Sequence, residues 1–169
     1  MRGDVILIGE EHRHAAKLII DPLVDVIRSM DRRFTLTVAG ESGSGKSETG
    51  QALAEALDGY AIRAVVLQQD DYYVLPPKSN DAARRANFCW VGTTEVRLDL
   101  LDSHLQAAQA GASSIVKPLA VFDEDRIDEE TVSFEGIDVV IAEGVYTSLC
   151  DHADRRVFID RNRLETLQH

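Results

Sequence analysis

Residues 34–47 read FTLTVAGESGSGKS. The first six alternate and favour a β-strand, and the remainder matches the pattern Gly-x4-Gly-Lys-Ser, the P-loop or Walker A motif. Residues 46–57 are good helix formers, and Gly59 ends the helical stretch. The motif binds phosphate where it joins a strand to a helix, so this context agrees with the pattern. The stretch therefore predicts a phosphate-binding loop.

The chemistry of phosphate binding accounts for the residue types in this loop. Gly43 and Gly45 let successive backbone N–H groups turn inward to form an anion-binding nest, next to the positive end of the following helix. Lys46 places an ammonium group against the β- and γ-phosphates, and Ser47 offers its hydroxyl to Mg²⁺. We expect eight residues to hold a nucleoside triphosphate: Gly40, Glu41, Ser42, Gly43, Ser44, Gly45, Lys46 and Ser47. The alternative is a glycine-rich turn that only caps a helix.

Predicted strands and helices alternate along the rest of the chain. Strands are predicted at 5–8, 34–39, 61–67, 114–116, 131–134, 138–141 and 156–159. Helices are predicted at 10–30, with a break at Asp21-Pro22, and at 46–57 and 94–110, whereas 70–90 reads as a functional loop with room for one short helix. Such alternation indicates an α/β fold with a mainly parallel sheet. We expect one domain over 1–169, with 1–31 as an N-terminal extension of a strand plus helices.

Composition and charge exclude several classes of protein. The 169 residues are 44% hydrophobic and carry a net charge of −11, which argues against a nucleic-acid binder because phosphate backbones are held by clustered Lys and Arg. No apolar run approaches the ~20 residues of a membrane span, and the first residues do not form a signal peptide. We therefore expect no membrane partner and a cytoplasmic location. Cys89 and Cys150 read as ordinary reduced thiols.

Acidic residues follow two of the predicted strands. Asp70-Asp71 comes after the strand at 61–67, and Glu143-Gly144 comes after the strand at 138–141. Ligands of open α/β sheets bind outside the carboxyl ends of the strands. Phosphoryl transfer needs one carboxylate near the acceptor hydroxyl and one near Mg²⁺, and these two positions can supply both. The alternatives are a solvated turn for the aspartates and a helix cap or surface acid for Glu143.

Three other groups of polar residues carry weaker signals. His12 and His14 stand two apart without visible partner ligands, so metal binding there is not expected. Arg84 and Arg85 could clamp a phosphate, but a pair on a helix surface is the favoured interpretation. The acidic run of 123–125 and 128–130 is expected to be a solvated face.

The order of motifs resembles the uridine kinase and phosphoribulokinase group of P-loop kinases over about 34–160. The resemblance rests on five stretches of sequence: the phosphate loop, Gln69-Asp70-Asp71-Tyr72-Tyr73, Asn87-Phe88, Lys117-Pro118 and the run VVIAEGVY at 139–146. The resemblance implies the three-layer P-loop NTPase fold, with helices on both faces of the sheet. It also implies ATP-dependent transfer of the γ-phosphoryl group to a hydroxyl of a small-molecule acceptor.

The resemblance also implies roles for single residues. Asp70 matches the base that acts on the acceptor hydroxyl, and the adjacent Asp71 is kept as a possible substitute and acceptor-site residue. Tyr73 matches an aromatic residue at the acceptor site. Glu143 matches an acid near the metal and the acceptor. Together with Asp70, we expect Lys46 to act in catalysis, because the loop places its ammonium group against the β- and γ-phosphates.

The sequence departs from the family pattern at the acceptor site and at the end. Cys89 and Trp90 stand where the family's nucleoside kinases have an aspartate and a histidine, and Ala120 stands near the place of a tyrosine. We therefore expect a rebuilt acceptor pocket and do not assign uridine or cytidine. The family's arginine-rich lid and last elements are largely absent before His169, so a fragment, a homo-oligomer whose partner subunit supplies arginines, and binding without efficient transfer all stay open.

Two hypotheses follow from the sequence. The first is a Mg-ATP-dependent small-molecule kinase of the uridine kinase-like group, with an unknown acceptor. The second is a nucleotide-binding or ATP-hydrolysing module that regulates a partner. A kinase for a nucleotide or a protein is a lesser alternative. Acceptor-dependent production of ADP separates the first hypothesis from the second.

Overall fold

The fold is known from a computed structural model that describes residues 6–161. Its centre is a parallel sheet of four strands, which are β1 (Phe34–Gly40), β2 (Ala64–Gln68), β5 (Val139–Glu143) and β6 (Arg155–Ile159). Their order across the sheet is β2-β5-β1-β6. Because all four are parallel, their carboxyl ends meet at one edge of the sheet. The predicted α/β fold with a mainly parallel sheet is therefore confirmed.

The register of the sheet brings the carboxyl ends of β2 and β5, where the two acidic sites were predicted, to the same level. Val38 of β1 and Gln68 of β2 both pair with Glu143 of β5, so Glu143 ends the strand that lies between them. All residues of β1 and β5 are buried, as expected for strands that are covered on both faces. The alternation of side chains along β5 sends Val139 and Ile141 into one apolar cluster and Val140 and Ala142 into the other.

Helices cover both faces of the sheet. The first face carries α1 (Glu10–Ile20), α2 (Val24–Ser29) and α3 (Lys46–Asp58), whose apolar residues share a cluster with Leu36 and Val38 of β1. The opposite face carries α5 (Leu98–Gln109), which packs with Val140 through Leu101 and Leu105. The three-layer arrangement expected from the family resemblance is therefore present.

The strands predicted at 114–116 and 131–134 do not join the parallel sheet and instead form a separate hairpin. Strands β3 (Ser114–Val121) and β4 (Arg126–Ser133) pair with each other in antiparallel register. Both are longer than the predicted strands at 114–116 and 131–134. The sequence underestimated them because Lys117-Pro118 and the acidic residues of β4 do not look like a buried strand. A strand in a two-stranded hairpin tolerates both, since one face and one edge remain outside the core.

Three predicted elements need correction. Residues 6–9 are not in a strand, and Val5 lies outside the described residues, so the extension before β1 consists of helices in the part that is described. The region 70–90, which was predicted as a functional loop with room for one short helix, contains α4 (Pro77–Ala86), a ten-residue helix that takes up about half of it. The helix predicted from position 94 begins at Leu98, because Thr93–Glu95 forms a 3-10 turn and Val96 pairs with Tyr73 in a β-bridge.

Within residues 6–161, no helix combines the length and the apolar character needed to cross a bilayer. The place where the family resemblance expects the arginine-rich lid to begin, after Arg161, lies outside the described residues.

Candidate active site

The carboxyl edge of the sheet opens into a cavity of about 910 Å³. The phosphate loop after β1, the turn after β2 and the end of β5 all border it. Nine of the twelve predicted site residues line this cavity, and Gly40, Glu41 and Asp71 do not: the nine are Ser42, Gly43, Ser44, Gly45, Lys46, Ser47, Asp70, Tyr73 and Glu143. Predicted residues from three separate segments of the chain therefore meet at one place, as the rule for open α/β sheets predicts.

The phosphate loop has the backbone that its glycines were expected to allow. Gly43 and Gly45 have φ of 77° and 89°, in the left-handed region where a side chain would be strained. Gly45 is also the N-cap of α3, so the positive end of a 13-residue helix faces the cavity. Lys46 Nζ donates a 2.7 Å hydrogen bond to the carbonyl oxygen of Glu41, within the loop itself. The ammonium group is thus held over the nest where a phosphate would lie.

Ser47 of the phosphate loop is joined to Glu143 at the end of β5 by a hydrogen bond. The hydroxyl of Ser47 donates to Glu143 Oε1 at 3.0 Å. Glu143 is only 4% exposed, and this burial raises the pKa of its carboxyl to about 7, with a further rise from the nearby charge of Asp70. Burial also lowers the pKa of Lys46, whereas the charges of Glu143 and Asp70 act in the opposite direction. The three charged groups are therefore electrostatically coupled.

These oxygens are suitable ligands for Mg²⁺. A buried carboxylate whose charge costs free energy gains from a nearby divalent cation, and Mg²⁺ prefers hard oxygen donors. Among the described residues, no group of three or more His, Cys, Asp or Glu side chains could hold a metal ion. Mg²⁺ is usually held through one or two protein ligands, waters and substrate phosphates, and Ser47 and Glu143 could supply two such ligands.

Gly144 explains how Glu143 is fixed at the end of β5. A Cβ atom on Gly144 would collide with the side chain of Gln69, so only glycine fits there. The Gln69 Oε1 atom accepts a 2.7 Å hydrogen bond from the backbone N–H of Tyr146. The close backbone approach expected from Gly144 in the sequence is therefore present, and it ties the end of β5 to the turn that carries Asp70.

The two adjacent aspartates have different surroundings. Asp70 is exposed and lines the cavity, close enough to Lys46 and Glu143 to affect the pKa of each. Asp71 is 3% exposed and points away, where its carboxylate binds Lys117 Nζ at 2.6 Å and the N–H of Ala120 at 3.0 Å. Asp71 therefore anchors the β3–β4 hairpin to the turn after β2. Its predicted place at the acceptor does not agree with this geometry.

A network of side chains from α4 surrounds Tyr73. The guanidinium of Arg84 binds both carboxylate oxygens of Glu95, at 2.6 and 2.9 Å, and donates to the hydroxyl of Tyr73 at 3.1 Å. Glu95 is fully buried and also accepts from Asn80 Nδ2, whose Oδ1 accepts from the Trp90 indole N–H. Burial raises the pKa of Tyr73 to about 12, so its hydroxyl stays neutral.

Arg84 corrects one interpretation from the sequence. The structure separates the two arginines: Arg85 forms a surface pair with Asp81, whereas Arg84 lines the cavity. Asn80 and Arg84 are four residues apart and so share one face of α4. That spacing was visible in the sequence, but it did not show which face of the helix meets the cavity.

The acidic run at 123–125 is also more than a solvated face. Asp125 lies in the turn between β3 and β4, and its carboxylate accepts from the backbone N–H groups of Lys78 and Ser79 at the start of α4. Asp125 thereby supplies the N-terminal cap that α4 lacks in its own sequence. The hairpin thus holds α4, and with it Arg84, beside the cavity.

The fold and the position of the glycine-rich loop at the cavity are those of a P-loop protein. The model of the phosphoribulokinase / uridine kinase family matches residues 35–164. The chain therefore belongs to the phosphoribulokinase / uridine kinase family. The recognition made from the motifs is confirmed.

Similar proteins agree with this assignment. A uridine kinase from Bacillus pumilus is 32% identical over 131 residues, which cover 73% of this chain and 59% of that protein. A uridine kinase from Macrococcus caseolyticus is 26% identical over 147 residues, or 78% and 64% of the two chains. The chain spans about three fifths of the length of these curated relatives.

Solved structures share the fold at lower identity. A putative fructose transport system kinase from Silicibacter sp. TM1040 has a TM-score of 0.71 at 17% identity, covering 94% of this chain and 78% of that one. A possible uridine kinase from Bacillus stearothermophilus has a TM-score of 0.64 at 21% identity, covering 87% and 82%. At these identities the likeness concerns the fold alone.

Proposed function

We propose that the chain transfers the γ-phosphoryl group of ATP to a hydroxyl of a small metabolite. The observation that carries the proposal is the meeting of two kinds of group in one cavity. Lys46 and Ser47 stand at the phosphate loop, and Asp70 stands outside the loop on the same cavity wall. A carboxylate at this place can accept the proton of an acceptor hydroxyl, which is the group that phosphoryl transfer needs beside the phosphates.

The nucleotide side supplies binding and charge stabilisation. The N–H groups around Gly43 and Gly45 would hold the phosphate oxygens, and Lys46 would leave the Glu41 carbonyl to contact the phosphates. Ser47 and Glu143 would hold Mg²⁺, directly or through its waters. When bound, Mg²⁺ neutralises the charge that develops on the transferred group.

The acceptor side supplies the base. The acceptor oxygen attacks the γ-phosphorus, the bond from that phosphorus to the β–γ bridging oxygen breaks, and ADP leaves. The proton of the acceptor hydroxyl passes to the carboxylate of Asp70. Tyr73 and Arg84 border the space next to Asp70 and would position the acceptor, with Glu95 holding the guanidinium in place.

For the acceptor, we propose a chemical class and no single compound. A sugar, a nucleoside or a vitamin precursor with an accessible hydroxyl fits the cavity beside Asp70. Cys89 stands where the resemblance places the aspartate that holds the ribose hydroxyls in the family's nucleoside kinases, so uridine is not favoured over other acceptors. A cytoplasmic location, where ATP is available, is part of the proposal.

The test is a screen for ADP release with Mg-ATP and a panel of sugars, nucleosides and vitamin precursors. We expect at least one compound to increase ADP release in the wild-type chain and none to do so in Asp70→Asn. Lys46→Ala is the control for activity that does not depend on the loop. ADP release that no acceptor increases, and that Asp70→Asn leaves unchanged, would favour the regulatory ATP-hydrolysing module instead.

A further inference from the structure

Helix α1 brings a histidine to the phosphate loop. His12 lies in the first turn of α1 and lines the same cavity as Ser44 and Lys46. Its Nε2 atom is 3.2 Å from the position that a Cβ atom would take on Gly45, the N-cap of α3. The helix stands before residues 35–164, which the family model matches, so this contact comes from outside that match.

A hydrogen bond to the ring of His12 determines which ring nitrogen can donate a hydrogen bond toward the loop. The backbone N–H of Gly9 donates to Nδ1 at 3.1 Å, so Nδ1 is an acceptor. In a neutral imidazole the other nitrogen then carries the proton. Nε2–H therefore stands at the rim of the phosphate nest as a donor, on the side of Gly45.

The core holds this donor in place. Ala16 and Ile20 of α1 are buried in the same cluster as Leu53 and Leu57 of α3, the helix that follows the phosphate loop. Arg13 adds a 3.2 Å ion pair to Glu55 of α3. The two helices are thus packed together, which fixes His12 beside Gly45 before any ligand binds. A preorganised donor of this kind loses little entropy on binding.

We propose that His12 is a further nucleotide-binding residue, whose Nε2–H donates to a phosphate oxygen held in the loop. The inference rests on the proposed binding of ATP in that loop. The protein carries a net charge of −11, so each local donor matters for an anionic ligand. In this account the N-terminal helix completes the phosphate site, together with the nest and Lys46.

Three variants separate this role from a purely structural one. His12→Asn keeps a side-chain acceptor for the Gly9 N–H but does not reach the loop. His12→Gln reaches the loop with an N–H donor but does not reproduce the acceptor. His14→Ala is the matched control, since His14 is exposed on the same helix.

The measurement is a titration with a fluorescent ATP analogue, followed by competition with inorganic pyrophosphate. A hydrogen bond to a charged group contributes enough that its loss weakens binding by about tenfold or more. We expect that loss in His12→Asn for both ligands, near wild-type affinity in His12→Gln, and no change in His14→Ala. Thermal unfolding of nucleotide-free His12→Asn should match that of the wild type.

Other results would overturn the inference. Wild-type affinity in His12→Asn would mean that His12 only caps α1, and tighter binding would mean that it obstructs the loop. A loss for the nucleotide analogue but not for pyrophosphate would place His12 at the ribose or base. Lys46→Ala distinguishes failure of the wider proposal: if it also binds like the wild type, the loop does not hold nucleotide at all.

Discussion

The two halves of the cavity are assembled in different ways. The half that we propose for the nucleotide is formed by one continuous loop, Gly40 to Ser47, whose geometry comes from backbone N–H groups and two glycines with positive φ. The half that we propose for the acceptor comes from the turn after β2, from α4 and from the 3-10 turn Thr93–Glu95, joined by side-chain hydrogen bonds around Glu95. A local backbone motif tolerates change around it, whereas a network of side chains depends on every member.

Because the two halves are assembled differently, they can change independently in evolution. The nucleotide half can stay constant because it is specified by local sequence. The acceptor half can be rebuilt by exchanging a few side chains on a fixed framework, as Cys89 and Trp90 suggest. The binding of nucleotide and the choice of acceptor should therefore respond to different mutations, and the following predictions test that separation.

The largest effect is expected at the boundary between the halves. Asp70→Asn keeps the size of the side chain and removes its charge and basicity. A positioned base contributes ~10²–10⁴-fold, so turnover should fall by that factor while Mg-ATP affinity stays close to the wild-type value. Rates of ADP release with an acceptor from the screen, together with nucleotide titrations, measure both quantities. Equal loss of ATP binding would make Asp70 a metal-site acid.

Asp71→Asn should instead destabilise the fold. The substitution leaves the buried ammonium of Lys117 with Glu130 as its remaining carboxylate, at 3.1 Å. Loss of one partner of a buried pair costs roughly 3 kcal/mol, so the free energy of unfolding should drop by about that amount. Denaturant unfolding measures it. A stable Asp71→Asn protein with no turnover would show that the two aspartates have exchanged roles.

The buried carboxylate of Glu143 predicts a pH dependence. Its pKa of about 7 in the folded, nucleotide-free protein lies above the ordinary value of 4.5 because burial disfavours the charge. The folded state therefore binds this proton more tightly than the unfolded state does, and stability falls as pH rises from about 4.5 to about 7. The size is about 3 kcal/mol, since each tenfold change in proton affinity is worth about 1.4 kcal/mol.

Glu143→Gln removes this titration and serves as the comparison. The free energy of unfolding of the nucleotide-free protein should decline less steeply over that pH range in the variant than in the wild type. The same variant should bind Mg-ATP more weakly at pH 8, where the wild-type carboxylate is charged. Parallel stability curves for the two proteins would contradict the assignment of a buried, proton-binding Glu143.

The smallest effect is expected at the acceptor network. Lys cannot reproduce the fork with which Arg84 binds both oxygens of Glu95 and the hydroxyl of Tyr73. Arg84→Lys should therefore raise the KM of the acceptor about tenfold, with nucleotide affinity unchanged. Arg85→Lys is the matched control, since Arg85 pairs with Asp81 on the outer face of α4. Similar KM values in both variants would remove Arg84 from the acceptor site.

The same contrast explains what the sequence could predict. The phosphate loop, the parallel sheet and the place of Glu143 follow from local patterns, namely glycine spacing and apolar runs that end in acids. The roles of Asp125, Arg84 and Glu95 could not be predicted in this way. Asp125 caps a helix 46 residues away in sequence, and Glu95 is buried only because Arg84 and Asn80 reach it. Such contacts depend on tertiary structure and leave no periodic signal.

The central claim is that the loop from Gly40 to Ser47 holds a nucleotide together with Mg²⁺. The direct measurement is thermal unfolding with ATP and Mg²⁺, with ATP and a chelator, and with Mg²⁺ alone, for the wild type and Lys46→Ala. At ligand 100-fold above its dissociation constant, binding adds about 2.7 kcal/mol of stability. We expect that gain only for the wild type with ATP and Mg²⁺ together. An equal gain in Lys46→Ala, or with the chelator present, would contradict the account.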